Sequence, residues 1–490
     1  MSDRAATTRN HWLATLEKFK HDPDQPGNDA MWSPHLDGAS RDELTAIQNE
    51  KLAAVTPFLY ENSLFYRKRF DRLGLAPTDI ASLDDLSKWP VVDKSEMTAD
   101  VEASPPYGHY TTMSDEIWRS RGWMLFSTSG TTGTPRVFRY SQIDRENWAW
   151  SNARAMHAMG FTPADTVFMM TGYGAHVFAW GVQMGLAKMG IGLIPGGGMD
   201  GKMRAGMIER FKPTVLCCTP SYALYMGRTL QDMGLDPAAT SVTKLFCGGE
   251  PALAIGPTRD KLQDLWGARL VEFYGCTEAA PQAGGYTCEA TGRGGRDGDY
   301  FLHLMEDIQI WETVDPESLA PTASGERGLS VCTNLISESS PQLRFLVGDF
   351  TTLNFETCAC GRSHARAMGC FAGRADDLIN LRGIKFFPTQ IEKAVRAIPG
   401  VGDEFQIILS SREVDGMDVM KVVVEHSDHG DHADHADHTD HGAGSKLAED
   451  VAAALRTEIE VRADIEVVAP GTLPKTEFKA KRVTDERVKT

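Results

Sequence analysis

The run Ser127-Thr128-Ser129-Gly130-Thr131-Thr132-Gly133-Thr134-Pro135-Arg136 sets hydroxyl side chains around two glycines. Backbone N–H and side-chain O–H donors in such a loop can cradle a polyphosphate, with little bulk in the way. It is not the GK[ST] nucleotide loop, because no Lys-Ser/Thr pair follows the second glycine. A flexible linker has the same composition, so the segment gains weight only from its company. A second pattern is Cys358-Ala359-Cys360-Gly361, two thiols close together in a polar, Gly-containing loop. The chain has nine cysteines, an odd count that is poor evidence for disulfides. Cys217, Cys218 and Cys247 stand in apolar runs and read as core. A third pattern is His426, His429, His432, His435, His438 and His441, one histidine every third residue. It reads as a solvated low-complexity insert; weak Zn or Ni binding is the alternative, and neither points to catalysis.

Further motifs are spread along the chain. They are Gly248-Gly249-Glu250-Pro251, Tyr274-Gly275-Cys276-Thr277-Glu278, Gly348-Asp349, Gly373-Arg374-Ala375-Asp376-Asp377 and the closing Leu473-Pro474-Lys475-Thr476-Glu477-Phe478-Lys479-Ala480-Lys481. Together with the Ser/Thr/Gly loop they resemble the adenylate-forming enzyme superfamily, and in particular its phenylacetate–coenzyme A ligase family. The likeness runs from Met31-Trp32 and Tyr60-Glu61-Asn62 to the last dozen residues. Each motif alone is weak; in register they are strong.

The resemblance implies a role for each position. Attack of a carboxylate on the α-phosphorus of ATP needs the phosphates held and their charge neutralised. Thr128, Ser129, Gly130, Thr131, Thr132 and Gly133 resemble the triphosphate cradle. Thr277 is similar to the α-phosphate contact, and Glu278 to the carboxylate facing Mg²⁺, a cation that favours oxygen ligands. Gly249, Glu250 and Pro251 correspond to one wall of the adenine site and Tyr274 to the other. Asp349 matches the residue that takes both ribose hydroxyls, and Arg374 lies near the same ribose in relatives. Lys479 corresponds to the lysine that bridges the acid and the α-phosphate during adenylation. Two departures stand out: Phe478 where the family has Gly, and Thr134 where relatives commonly carry Lys, with Arg136 as a compensating charge. Asp376 resembles the hinge about which the small domain turns before thiol transfer.

The acid pocket implied by the resemblance is formed by Tyr173, Gly174, His176, Phe178 and Trp180, with Ala279 and Ala280 after the YGCTE turn. Relatives acting on phenylacetate have smaller residues across Val177–Trp180, yet Phe and Trp suit a planar ring, so an aromatic acid is expected. A core role for Phe178 and Trp180 is the alternative. The resemblance also implies that Cys288 and His303 join Cys358 and Cys360 as a closed tetrahedral site for structural Zn²⁺. Cys370 is an alternative ligand, and reduced cysteines without metal are the alternative reading.

These residues need a scaffold. Leu44–Gly74 carries apolar residues at helical spacing and stops at a glycine. From Asp165, β-rich runs (DTVFMM, IGLIP, PTVLCC, TKLFCG, RLVEFYG) alternate with helical ones, which predicts an α/β domain with parallel sheets covered by helices. Ligands are expected at the carboxyl ends of those strands. Past Gly373 the pattern becomes helix, two strands, helix, strand, a small α+β unit. The expected division is an adenylate-forming domain over 1–375, with the ATP and acid sites, and a small mobile lid over 376–490 that contains the His-rich insert 426–441.

Bulk composition excludes some classes. With 42% hydrophobic residues the chain is globular. A net charge of -17 argues against nucleic-acid and anionic-membrane partners. No signal-peptide pattern opens the sequence, which makes the cytoplasm the expected location. The expected reaction is acyl-adenylate formation from ATP and transfer to coenzyme A, with Mg²⁺ as the metal cofactor. The partner is a small carboxylic acid, and a homodimer is the assembly considered. An amine or carrier-protein thiol as acceptor is one rival; a non-catalytic metal-binding protein is another, and it leaves the nucleotide motifs unexplained.

Overall fold

The stretch Leu44–Gly74, expected as one helical region, forms two helices, Arg41–Asn62 and Leu64–Leu73. Ser63 separates them. Its backbone is extended, and its Oγ accepts the Tyr66 N–H, so the residue that ends the first helix caps the second. Gly74 then closes the second helix at φ 67°, the left-handed position that favours glycine. The computed structural model describes residues 3–20, 25–128, 136–412, 417–427, 441–474 and 481–487, the side chains of 282, 297 and 441–443 apart. By its contacts the chain divides into two units, Met1–Gly198 with Val271–Phe371, and Met199–Leu270 with Ala372–Thr490.

In the first unit, Thr166–Met169 pairs in parallel with Gly192–Pro195, with the helix Val177–Met189 between them in sequence. Beyond Arg269 the character changes. Strands lie in the order Gln309–Val314, Arg327–Asn334, Phe345–Asn354, Arg366–Met368, Phe301–His303, Ala280–Tyr286 and Arg269–Cys276. Every neighbouring pair among them is antiparallel. No α-helix interrupts this region, so turns replace crossovers and the strands reverse at each step. The expected parallel sheet is therefore one part of a larger mixed arrangement. A separate two-stranded hairpin, Trp123–Ser127 with Val137–Ser141, flanks the Ser/Thr/Gly run in sequence.

The second unit holds the parallel pair Val215–Cys218 and Lys244–Gly248, flanked by the helices Gly201–Phe211, Pro220–Asp232 and Gly256–Trp266. Its C-terminal part is a four-stranded mixed sheet in the order Asp464–Val468, Asp418–His426, Val401–Ser411, Val483–Asp485. Helices Pro388–Arg396 and His441–Ile459 pack on it through Ile391, Val395, Val451 and Leu455 against Ile407, Leu409, Val422 and Val424. Within this unit Asp403 pairs with both Arg228 (3.0 Å) and Lys261, and Thr258 donates to Glu392 (2.9 Å). These links join residues 199–270 to the C-terminal sheet. Among the described residues no helix is long and apolar enough to cross a membrane.

Candidate functional site

The ends of the Ser/Thr/Gly loop are tied to each other. Thr128 N donates to the Arg136 carbonyl (3.0 Å), and Arg136 N donates to Thr128 Oγ1 (3.2 Å), directly beyond the last hairpin pair Ser127–Val137. Ser129, Gly130, Thr131, Thr132 and Gly133 lie outside the described residues. Arg136 extends from this base to Glu278, with Nη2 and Oε1 2.9 Å apart and both groups largely buried. The loop base and the expected Mg²⁺ carboxylate are thus adjacent. Thr277 is positioned through its carbonyl, which accepts the Tyr140 hydroxyl, a group from the second hairpin strand. Cys276, next in line, is held as a thiol: burial, then the nearby Glu278, push it up to about 12. It is therefore unsuited to act as a nucleophile.

Tyr274 and Asp349 come from different strands, Arg269–Cys276 and Phe345–Asn354, and their side chains meet, the Tyr274 hydroxyl donating to the Asp349 carboxylate. One face of the Tyr274 ring is stacked on Phe371, with centroids 3.7 Å apart and planes 12° from parallel. Phe371 in turn lies 5.5 Å from Trp311. A planar base could use only the opposite face of Tyr274. Sequence reasoning missed Phe371, 97 positions away from Tyr274, and nothing local marks it. Gly249, Glu250, Pro251 and Arg374 belong to the second unit. There Gly249 adopts φ 83°, and the Glu250 carboxylate accepts Ser221 N (3.2 Å) and Ser221 Oγ (2.7 Å) at the start of the helix Pro220–Asp232. Arg374 precedes the short turn Ala375–Asp377 and lies 3.8 Å from Asp376, both half-exposed. Lys479 lies outside the described residues, as does His-rich segment 428–440.

The expected acid-pocket residues all lie in the first unit, and their aromatic rings fall into two contacts. Tyr173 and Trp180 meet edge to face at 5.0 Å, and the Trp180 indole N–H donates to the Gly174 carbonyl (3.0 Å). Phe178 lies 6.1 Å from Phe273 on the strand that leads to Thr277. Tyr173, His176, Phe178 and Trp180 are all partly exposed, unlike core residues, which suits side chains lining a cleft. Burial lowers the pKa of His176, so its imidazole is neutral at pH 7. Ala279 and Ala280 are fully buried, and the Ala279 carbonyl accepts Asn334 Nδ2 (2.7 Å), fixing the turn that follows Glu278.

Cys288, His303, Cys358 and Cys360 come together, with all four ligand atoms within 4.8 Å of one another. Cys288 Sγ to Cys358 Sγ is 4.0 Å and Cys360 Sγ to His303 Nε2 is 3.4 Å. A tetrahedron built on Zn–S bonds of about 2.3 Å has edges of about 3.8 Å, so the set matches that size. The supports are equally specific. His303 Nδ1 faces the His364 carbonyl at 3.3 Å, which leaves Nε2 toward the thiols. Cys358 N donates to the Arg362 carbonyl, Gly361 turns the chain at φ 85°, and Arg362 Nη1 donates to Cys360 Sγ (3.6 Å). Hydrogen bonding from Cys288 holds both Cys360 and Cys358 below the usual thiol range, while Cys288 is pushed up by the same bonds. Burial lowers His303, but its bonds to Cys358 and Cys360 outweigh that and leave it raised. Cys370 is not in the cluster. Arg362 and His364 escaped the sequence reading, although they follow the thiols directly in Cys360-Gly361-Arg362-Ser363-His364.

Comparison with known proteins gives two family matches. Residues 78–324 match "AMP-binding enzyme" and residues 383–487 match "AMP-binding enzyme C-terminal domain". The phenylacetate–coenzyme A ligase of Thermus thermophilus is 30% identical over 464 residues, covering 93% of this chain and all of that protein. The phenylacetate–coenzyme A ligase of Aromatoleum evansii is 31% identical, covering 93% of this chain and 97% of that one. Among solved structures, 2-hydroxyisobutyryl-CoA ligase with its 2-hydroxyisobutyryl adenylate superposes with a TM-score of 0.86 at 26% identity, covering 97% of this chain and 96% of the other.

Proposed function

We infer the reaction from the premise that this chain belongs to the phenylacetate–coenzyme A ligase-like family of adenylate-forming enzymes. It activates a carboxylic acid, of the aromatic class, with ATP and transfers the acyl group to coenzyme A. A carboxylate oxygen attacks the α-phosphorus, the bond from that phosphorus to the β-bridging oxygen breaks, and pyrophosphate leaves. The coenzyme A sulfur then attacks the acyl carbonyl, AMP departs and the thiol proton passes to solvent. The observation that carries this reading is the near full-length match to ligases of this kind, with the Arg136–Glu278 pair beside the hydroxyl-rich loop as its local support.

Residue roles are proposed on the family resemblance, with the local contacts described above as their support. Arg136 and the loop from Thr128 to Gly133 bind the phosphates, and Thr277 contacts the α-phosphate, its turn braced by Tyr140. Glu278 would hold Mg²⁺, which supplies charge neutralisation on the phosphates. Asp349 takes the ribose hydroxyls, and Tyr274, backed by Phe371, offers one ring face to adenine. Gly249, Glu250 and Pro251 are proposed as adenine contacts and Arg374 as a ribose contact, on the family resemblance alone. Tyr173, Phe178 and Trp180 support a planar acid. The four-ligand set of Cys288, His303, Cys358 and Cys360 would hold a structural Zn²⁺, since three thiols and an imidazole leave no open position for catalysis.

The test is AMP release across a panel of aryl and arylacetic acids. Release is expected to require both ATP and coenzyme A. ATP–pyrophosphate exchange without coenzyme A turnover would instead support an amine or carrier-protein thiol as acceptor. We also propose 375/376 as the domain boundary and Asp376 as the hinge, supported by its exposed turn and by the two separate family matches that flank it. Asp376→Pro, which fixes φ, is expected to cut overall turnover at least tenfold while pyrophosphate exchange persists. Normal turnover in that variant excludes rotation about this residue.

A further inference from the structure

A cavity of about 410 Å³ opens in the first unit, away from the catalytic groups. None of the acid-pocket, nucleotide or metal residues lines it. At its wall is Arg139, on the hairpin strand Val137–Ser141 and only 8% exposed. Its guanidinium lies over three aromatic rings, 3.6 Å from the Tyr107 centroid, 4.4 Å from Trp118 and 5.8 Å from Trp123. Among the described residues it has no hydrogen-bond or ion-pair partner. A buried arginine normally has one, because a desolvated cation without hydrogen bonds is costly. The rings stabilise its faces by cation–π attraction and leave its edge N–H groups open to the cavity. The Trp118 indole N–H, buried beside it, likewise has no partner among the described residues.

The rest of the wall restricts what could satisfy that edge. Leu64, Pro105, Met113 and Ile117 make one side apolar. Asp115 is exposed at the rim, and Glu61 is already near Arg67 at 3.7 Å. Two carboxylates at the rim disfavour a polyanion such as a phosphate ester. A single planar carboxylate can still take two parallel N–H bonds from the guanidinium fork. We propose that this cavity is a second, non-catalytic binding site for a small monocarboxylate with an apolar body, seated on Arg139. The volume lies in the range of small-molecule pockets. The proposal does not depend on the catalytic assignment above.

Phenylacetate serves as the probe, titrated calorimetrically into the full chain, with and without a saturating phenylacetyl-adenosine sulfamate that blocks the catalytic site. One binding event is expected to survive the block. Arg139→Gln should weaken that event tenfold or more, in line with loss of a charge-assisted pair. Asp115→Asn, at an exposed position that does not threaten the fold, should tighten it several-fold by removing a like charge. Inorganic phosphate should compete weakly. Absence of any event under the block, or an event indifferent to both substitutions, overturns the site. Phosphate binding more tightly than phenylacetate overturns the monocarboxylate assignment. Failure of the sulfamate to bind would count against the catalytic reading instead, leaving the Arg139-dependent event to be judged in the unblocked titration.

Discussion

Cys358→Ser is expected to lower zinc content and melting temperature together, the latter by about 5 °C if several kcal/mol of metal binding are lost as folding energy. The expectation rests on closure. Cys358 reaches Cys288 at 4.0 Å, and both belong with His303 and Cys360 to one buried set. The ligands come from three separate places in the chain: the turn after Tyr286, the short strand Phe301–His303 and the loop before Arg366–Met368. Removing one ligand therefore loosens three segments at once. Metal analysis of a chain lacking residues 428–440 distinguishes this site from the His-rich insert. About one zinc per chain should remain after mild chelation, because a closed site with thiolate ligands releases metal slowly while evenly spaced histidines do not retain it. Pyrophosphate exchange should persist in Cys358→Ser at permissive temperature. Zinc that vanishes with the insert, or a melting temperature indifferent to Cys358, would sink the structural-metal proposal.

How much of this was legible beforehand depends on the distance over which each signal acts. Cys358 and Cys360 stood out as two thiols in one polar loop, whereas Cys288 and His303 were joined to them only through the family resemblance. Their second layer, Arg362 and His364, was readable in principle from the same segment but carries no motif of its own. The parallel pairs around Val215–Cys218 were visible as short apolar runs between helices. The antiparallel half was not, because its strands follow one another through turns and lack the helical spacers that gave the others away. Ser63 shows the same limit at close range: apolar periodicity continues through it, and only its hydrogen bond to Tyr66 N marks two helices rather than one. Long-range partners stayed hidden altogether. Arg136 and Glu278 are 142 positions apart, and Asp403 reaches back to Arg228 and Lys261. Such ion pairs decide which segments cluster by contact, yet each residue alone looks like an ordinary surface charge.

Lys479→Ala is expected to slow adenylation by about 10²–10³-fold, the range seen when one preorganised charge stabiliser is removed. Thioester formation from a supplied acyl-adenylate should stay within a few-fold of normal. The asymmetry follows from where charge develops. When an anionic carboxylate approaches an anionic α-phosphate, the two repel, and a lysine between them relieves that repulsion in the first step alone. In the second step a thiol attacks a neutral carbonyl, and no such cation is required between the reactants. Lys479 lies within the matched C-terminal segment 383–487, but Phe478 stands where the resemblance calls for glycine, so the register needs its own control. Lys475→Ala and Lys481→Ala provide it, since either lysine could take over if the loop were shifted by the bulkier neighbour. Rapid-quench measurement of adenylate formation, paired with single-turnover transfer from isolated acyl-adenylate, separates the half-reactions. A larger loss in either control variant would move the bridging role to that lysine. Equal losses in both half-reactions for Lys479→Ala would mean that the residue serves the fold or the nucleotide rather than the first chemical step.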